Sequence, residues 1–195
     1  MSELTWDDEC GWGFQRGDGV AEKDYWTEYR VLDQTPMGRV LTALRRGFVD
    51  KHIWETTANL VDVGIGGGAF VVDFDCEGID INPEAIAWLD ARGSLWDGEE
   101  VDVLTFWDSI EHILCPGDYL EKSRKFVFLS TPIYEDQEHC VASKHYKPGE
   151  HLWYFTDRGI LKFMDDAGFS LLEQTRIEDD AGREGIGSYA FVRRL

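Results

Sequence analysis

A glycine-rich turn after a short apolar segment is the feature that most constrains this chain. Leu60–Val63 predicts a buried strand, which runs directly into the sequence Gly-Ile-Gly-Gly-Gly at positions 64–68. Glycine has no Cβ and adopts left-handed conformations, so such a turn lets the backbone approach a ligand closely. In an α/β fold the turn lies at the carboxyl end of its strand, where ligands bind. The sequence therefore predicts a ligand site above this strand.

Strands and helices alternate along the rest of the sequence. The expected strands cover residues 60–63, 77–81, 95–96, 101–106, 126–129, 169–177 and 188–192, and the expected helices 23–32, 37–48, 83–92, 109–122 and 157–167. This alternation predicts an α/β fold with a doubly wound, mostly parallel sheet of seven strands. The last two strands have no helix between them, so the last strand should be antiparallel. We expect a single domain over residues 1–195, with an N-terminal helical cap (1–50) and a Rossmann-like core (58–195).

Two acidic residues indicate which nucleotide the loop would hold. The spacing Gly64-x-Gly66-x-x-Ala69 also fits the dinucleotide fingerprint of oxidoreductases, which leaves NAD as an alternative. Asp62, at the mouth of the loop, would repel a pyrophosphate but attract a ligand that bears an ammonium and a sulfonium. Asp80, at the end of the next strand, can accept hydrogen bonds from both ribose hydroxyls. Together they favour S-adenosylmethionine, although each carboxylate could instead cap a turn or a helix.

The charge of the chain limits its partners. With 19 basic and 38 acidic residues, the formal net charge is −19. Such a protein repels phosphate backbones and anionic lipid surfaces, so we expect neither a nucleic-acid substrate nor a membrane partner. The four cysteines form no Cys-x-x-Cys pair, which argues against a zinc knuckle and a disulfide framework. An acidic N-terminus and the lack of an apolar run of about 18 residues predict a cytoplasmic location.

Five segments, in the correct order, resemble motifs of class I S-adenosylmethionine-dependent methyltransferases. From Leu60 and from Gly78, the sequences LVDVGIGGGAF and GIDINPEAIAWL resemble the first and second motifs. From Val101, VDVLTFWDSIEHI is similar to the fourth-strand segment, with the Glu-His pair of the small-molecule branch that includes ubiquinone-biosynthesis O-methyltransferases. FVFLSTPIY and HLWYFTDRGILKFMDDAGF resemble the later segments of the same branch. The resemblance implies a Rossmann-like methyltransferase fold.

The resemblance also implies where the cofactor would lie. Asp80 would hold the ribose, with Ile81 against the adenine, and Trp96 would face the adenine from the short third strand. Trp107 and Asp108, just past the fourth strand, would flank the transferable methyl group. The methionine part would contact the glycine loop and the acid before it, at Asp62, Gly64, Ile65, Gly66 and Gly68. Only 11 residues separate Gly68 from Asp80, which predicts a very short first crossover helix.

The catalytic and acceptor residues are less constrained by the sequence. Methyl transfer is an in-line displacement, so it needs alignment and exclusion of water, and a general base only for acceptors such as hydroxyls. Asp108 and His112 are the candidate bases. Residues 131–156 are expected to cross the sheet edge and, with the aromatic N-terminal arm, to contact the acceptor through Tyr25, Trp26, Tyr29, His145 and His151. These aromatics could equally pack in the core, and the irregular histidine spacing predicts no metal site.

The sequence thus predicts an S-adenosylmethionine-dependent methyltransferase with a small-molecule acceptor. A protein or nucleic-acid methyltransferase is one alternative. The charge argues against the nucleic-acid version, as does the lack of an Asn-Pro-Pro-Tyr type motif after the fourth strand. A non-catalytic protein that binds the cofactor without turnover is the other alternative.

Overall fold

The computed structural model describes residues 3–17, 25–53 and 58–194. Nine strands, eight α-helices and one 3-10 helix lie in these ranges. In chain order they are β1 Thr5–Asp7, β2 Trp12–Phe14, α1 Tyr25–Asp33, α2 Pro36–Asp50, β3 Leu60–Val63, α3 Ala69–Phe74, β4 Glu77–Ile79, α4 Pro83–Arg92, β5 Val101–Trp107, the 3-10 helix Ile110–His112, α5 Pro116–Leu120, β6 Ser123–Pro132, α6 Gln137–Ala142, β7 Trp153–Phe155, α7 Asp157–Asp166, β8 Phe169–Thr175, α8 Ile177–Asp180 and β9 Ile186–Arg193.

The central sheet has six strands in the order β4-β3-β5-β6-β9-β8. Neighbours from β4 to β6 are parallel, whereas β9 runs antiparallel to both β6 and β8. The predicted mostly parallel sheet with a reversed last strand is confirmed. The prediction of seven strands is wrong, because Leu95 forms only an isolated bridge with Gly78. The bridge consists of two hydrogen bonds, from the Gly78 amide to the Ser94 carbonyl and from the Trp96 amide to the Gly78 carbonyl.

Local signals explain the helices that flank the ligand-binding edge. The Thr35 side chain accepts a hydrogen bond from the Gly38 amide at 3.0 Å, and α2 begins at Pro36. In the same way, Asn82 caps α4 before Pro83. A side-chain oxygen at the N-cap satisfies an amide that has no partner within the helix. The predicted short crossover is confirmed, since α3 spans only 6 residues.

Alternate residues of each strand pack on opposite faces of the central sheet. Leu60 contributes to a cluster with Phe48 and Val49 of α2, whereas its neighbour Val61 joins the cluster that contains Ile160 of α7. This is the period of two expected for a sheet covered by helices on both sides. Asp62 shares the face of Leu60, so its carboxylate lies on the side of the sheet that α2 covers.

A second, three-stranded antiparallel sheet joins the N-terminal hairpin to β7, in the order β1-β2-β7. Trp12 pairs with Phe155 and Phe14 with Trp153. The sequence does not predict this sheet, because its strands are 3 residues long and the paired segments are far apart along the chain. It ties the N-terminal arm to the end of the 131–156 segment. Within the described ranges, none of the helices combines the length and apolarity needed to cross a membrane.

Candidate active site

A cavity of about 330 Å³ lies at the carboxyl ends of the central strands. The glycine loop forms its floor, together with Asp62 at the end of β3. Trp107, the last residue of β5, and Asp108, which follows it, line one wall. Residues of α1 and α2, including Tyr29 and Arg45, cover the opposite side. The cavity therefore lies where the doubly wound fold places ligands, at the ends of adjacent parallel strands.

The glycine loop has the left-handed backbone that its sequence predicts. Gly64, Gly66 and Gly68 have φ values of +78°, +56° and +83°. A Cβ on Gly64 would lie 2.6 Å from the Cβ of Ser109, and one on Gly68 would lie 2.7 Å from the ring of Trp88. Glycine is required here both by conformation and by close packing.

Asp62 is a buried carboxylate that faces the cavity. Only 1% of the residue is exposed, and one carboxylate oxygen accepts a hydrogen bond from the Thr105 hydroxyl at 2.7 Å. Burial raises the pKa of Asp62 to about 7, although the Thr105 hydrogen bond opposes this shift. A buried carboxylate with one hydrogen bond is costly to ionise, so a cationic ligand beside it would be stabilising.

Asp80 lies at the end of β4, on the other side of the loop. Its Oδ1 accepts a hydrogen bond from the Asn82 amide at 2.8 Å, and its Oδ2 accepts one from the Tyr25 hydroxyl at 3.4 Å. Burial raises the pKa of Asp80, while the amides of Asn82 and Ile81 oppose this rise. Tyr25, predicted to contact the acceptor, thus lies on the carboxylate predicted to hold the ribose.

The other aromatic residues of α1 differ in their surroundings. Trp26 is buried, and its ring centroid lies 5.4 Å from that of Trp88 in the core, a position that favours core packing over contact with the acceptor. Its indole packs against Ile65 and apolar residues of α3 and α4. Tyr29 is 41% exposed and lines the cavity, as an acceptor-binding residue should.

Two residues predicted to contact the adenine lie in contrasting environments. Ile81 is 67% exposed at the rim, beyond β4. Trp96 is instead buried in the main core, where its indole N–H donates to the Glu99 carbonyl at 3.1 Å and its ring lies 6.1 Å from that of Tyr119. Because Trp96 belongs to the core and is not among the residues that line the cavity, the prediction that it faces the adenine is not supported by its position.

Asp108 belongs to a cluster of four charged side chains. It accepts hydrogen bonds from Arg45 at 2.7 Å and from Arg183 at 2.5 Å, and both arginines also bind the buried Glu178. Burial would raise the pKa of Asp108, but the two guanidinium groups outweigh it and hold that pKa below its usual value. A carboxylate held by two cations is a poor proton acceptor, so Asp108 is unsuited to the predicted role of general base.

Trp107 forms the wall between this cluster and the core. Its ring lies 5.3 Å below the guanidinium carbon of Arg45, a cation–π geometry, and meets Phe70 edge-on. Its indole nitrogen is buried and has no hydrogen-bond partner among the described residues. Asp108, the next residue, has a φ of +53°, which turns its side chain towards the arginines. A non-glycine residue in this conformation is strained and often marks a functional position.

His112 lies next to His151, with ring centroids 4.6 Å apart. Burial lowers the pKa of His112, so its imidazole is neutral near pH 7 and can accept a proton. His151 is buried against it. Neither His151 nor His145 is among the residues that line the cavity, and Nε2 of His145 contacts the Glu184 carbonyl at 2.8 Å. The position of His145 does not support the prediction that it contacts the acceptor.

A family model described as "Methyltransferase domain" matches residues 35–174 of the sequence. The chain belongs to the methyltransferase domain family. No curated protein sequence matches this methyltransferase. The predicted enzyme class, a transferase of methyl groups that depends on S-adenosylmethionine, is confirmed at the level of the family.

Solved structures share the fold of this methyltransferase at low sequence identity. A chain from the complex between the Haloferax volcanii Trm112 methyltransferase activator and a methyltransferase has a TM-score of 0.65 and 15% identity, and the match covers 90% of this chain and 98% of that one. An S-adenosylmethionine-dependent methyltransferase from Aquifex aeolicus gives 0.61 and 12%, over 87% and 98%. Magnesium protoporphyrin IX methyltransferase from Synechocystis, with bound S-adenosylhomocysteine, gives 0.56 and 14%, over 90% of each chain.

Several residues that shape the site of the methyltransferase are not evident from the sequence. Arg45 and Arg183 lie in the cavity wall, and Glu178 and Glu111 are fully buried behind it. In the sequence, Arg45 is simply one half of a basic pair, and Glu111 is marked only by the Glu-His motif. That motif is the available signal for Glu111. Nothing local identifies the arginines, since their partners are distant along the chain.

Proposed function

We propose that this methyltransferase transfers the methyl group of S-adenosylmethionine to a small-molecule acceptor. The observation that carries the proposal is the pair of buried carboxylates, Asp62 and Asp80, at the ends of adjacent strands on either side of the glycine loop. The protonated amine and the sulfonium of the cofactor would compensate the cost of ionising Asp62. NAD offers a pyrophosphate near that carboxylate instead, which would be repelled.

The loop and its neighbours would hold the cofactor in a defined orientation. Gly64, Gly66 and Gly68, with Ile65, would lie along the methionine part, and their left-handed backbone supports such an approach. Asp80 would accept the ribose hydroxyls, which requires the Tyr25 hydroxyl to leave Oδ2. Ile81, exposed at the rim beyond Asp80, is suited to cover the adenine.

The transferable methyl would lie near Trp107 and Asp108, and the acceptor would enter beside Tyr29. Helices α1 and α2 would act as the N-terminal cap that excludes water from this space. Arg45 and Arg183 fix Asp108, so we assign that residue to positioning and not to proton transfer. His112 is not among the residues that line the cavity, so its position does not support the predicted role of general base.

The size and charge of the site support a small acceptor. The cavity of about 330 Å³ is at the lower end of the size range of small-molecule sites. The net charge of −19 opposes nucleic acid. Methyltransferases of similar fold include one for magnesium protoporphyrin IX and a glycopeptide N-methyltransferase, and the activator complex makes a protein partner a second candidate for interaction.

The proposal can be tested with S-adenosylmethionine labelled in its methyl group. The enzyme is incubated with the separated metabolite, protein and nucleic-acid fractions of the source cells, and label is counted in each fraction. We expect label in the metabolite fraction only, and none with Asp80→Ala, which removes the ribose-binding carboxylate. Label in protein or nucleic acid would contradict the small-molecule assignment. Cofactor binding without label in any fraction would favour the non-catalytic alternative.

A further inference from the structure

Glu111, His112 and His151 come together although they are irregularly spaced in the sequence. Glu111 and His112 belong to the 3-10 helix after β5, and His151 lies just before β7. The Leu152 amide donates to the Glu111 carbonyl at 2.8 Å, which fixes the two segments side by side. Each of the three side chains offers one ligand atom, and these atoms lie within 4.8 Å of one another.

Several polar atoms of this cluster are buried without partners. Both carboxylate oxygens of Glu111 and Nδ1 of His151 make no hydrogen bond of ordinary geometry within the described part of the chain, although the Thr131 hydroxyl lies close enough to Glu111 to lower its pKa. Glu111 is 1% exposed and His151 is 4% exposed. Buried polar side chains are normally hydrogen-bonded, and a bound ion is one explanation when they are not.

The orientation of His112 resembles that of a histidine prepared to bind a metal ion. Its Nδ1 lies 3.1 Å from the Glu150 carbonyl oxygen, to which it can donate when it carries the proton. This leaves Nε2 with a free lone pair. A hydrogen bond of this kind fixes the tautomer and the ring orientation of metal-binding histidines. The carboxylates of Asp108 and Glu150 add negative charge, which opposes the positive charge of nearby Lys147.

Ionising these groups without a cation is costly. Burial, and then the charge of Asp108, raises the pKa of Glu111 to about 8, while burial and the neighbouring His112 lower the pKa of His151 to about 3. A divalent cation would stabilise the Glu111 carboxylate that burial destabilises.

We propose that Glu111, His112 and His151 form a binding site for a divalent transition-metal ion, best matched by Zn²⁺. Two imidazoles and one carboxylate are a frequent protein ligand set for zinc sites that keep a fourth position open for water or another ligand. Tetrahedral bonds of ~2.1 Å would separate the ligand atoms by ~3.4 Å, so the most distant pair would approach by at most about 1.4 Å on binding.

The test measures binding of Zn²⁺ to the full chain after chelator treatment and removal of the chelator. Competition with a chromophoric chelator gives the affinity, and the visible spectrum of the Co²⁺ form reports the geometry. We expect one ion per chain, a tetrahedral Co²⁺ spectrum and a rise in melting temperature with Zn²⁺. Glu111→Gln and His151→Gln should each weaken binding by more than the ~10–100-fold typical of losing a hydrogen-bond partner of a metal ligand.

His139→Gln is the matched control, because His139 is exposed and lies outside the cluster. It should bind Zn²⁺ as the wild type does. Glu111→Gln replaces a buried carboxylate without partners by a neutral isostere, so its melting temperature without metal should not fall. Wild-type protein that binds no ion, equal loss of binding in His139→Gln, or full binding by Glu111→Gln would overturn the proposal. The titration contains no methyl donor, so its failure is distinct from failure of the proposed methyltransferase reaction.

Discussion

The carboxylate of Asp62 should destabilise the protein that lacks a ligand, and Asp62→Asn should remove this cost. The side chain is buried and its pKa is raised from 3.8 to about 7. The folded state then holds a proton that the unfolded state releases. The contribution of Asp62 to the free energy of unfolding is therefore most favourable below pH 4 and falls as the pH rises to about 7. Asparagine can still accept the Thr105 hydrogen bond but does not ionise.

The size of the effect can be worked out from the pKa. Between pH 5.5 and the Asp62 pKa near 7, about 1.5 pH units at ~1.4 kcal/mol each amount to about 2 kcal/mol. The stability of Asp62→Asn relative to the wild type should therefore increase by about 2 kcal/mol between pH 5.5 and pH 8.5. Taking this difference removes the contribution of other titrating groups, Glu111 among them, because both proteins share them.

Urea denaturation at the two pH values measures this difference. Asp90→Asn, at an exposed position of α4, is the control and should match the wild type at both pH values. If Asp62→Asn shows the same pH dependence as the wild type, the carboxylate is not destabilised by burial, and a cationic ligand would gain nothing from lying beside it. The same variant should bind S-adenosylhomocysteine more weakly at pH 8, because the charge that attracts the ammonium is gone.

Three further predictions concern residues around the cavity. Tyr25→Phe removes the hydroxyl bound to Asp80 at 3.4 Å. Because this hydroxyl would compete with the ribose for Asp80, the variant should bind S-adenosylhomocysteine up to ~10-fold more tightly, the worth of one net hydrogen bond. Weaker binding in calorimetry would contradict this competition. Gly64 has a φ of +78°, which is strained for alanine, so Gly64→Ala should lower the free energy of unfolding by at least ~1–3 kcal/mol. A change near zero in urea titrations would show that the loop relaxes. Arg183→Met leaves Asp108 with one guanidinium and should destabilise the protein by up to ~3 kcal/mol; thermal unfolding unchanged from wild type would refute this.

The parts of the fold that have local signals can be predicted from the sequence. The β3 strand with its glycine loop, and α4 between Asn82 and Gly93, are indicated by turn and capping residues. The reversed β9 strand is indicated by the lack of a full crossover helix before it. The expectation of no helix there is wrong, because α8 lies between β8 and β9, but its 4 residues are too few for a parallel crossover. The small second sheet cannot be predicted, because Trp12 pairs with Phe155 across most of the chain. Pairing between strands so distant along the chain depends on the tertiary structure, and the sequence of a three-residue strand does not indicate its partner.

The candidate site shows the same division. The sequence identifies Asp62 and Asp80 by their positions relative to the glycines, and both face the ligand-binding edge. It does not identify the four-residue cluster of Arg45, Asp108, Glu178 and Arg183, whose members come from different elements. The sequence cannot assign Trp26 to the core or to the acceptor site, because an aromatic residue in an amphipathic helix has the same pattern whether it packs or binds. Only the three-dimensional contacts distinguish these cases.

The most direct test of the proposed cofactor site is a calorimetric titration of the wild type and Asp80→Asn with S-adenosylhomocysteine and with NAD. We predict that the wild type binds S-adenosylhomocysteine at one site per chain and does not bind NAD. Asp80→Asn should lose at least ~10-fold in affinity, because hydrogen bonds to a charged acceptor are worth ~1.5–3 kcal/mol. Binding of NAD alone, or an affinity for S-adenosylhomocysteine that is unchanged by Asp80→Asn, would contradict the central claim.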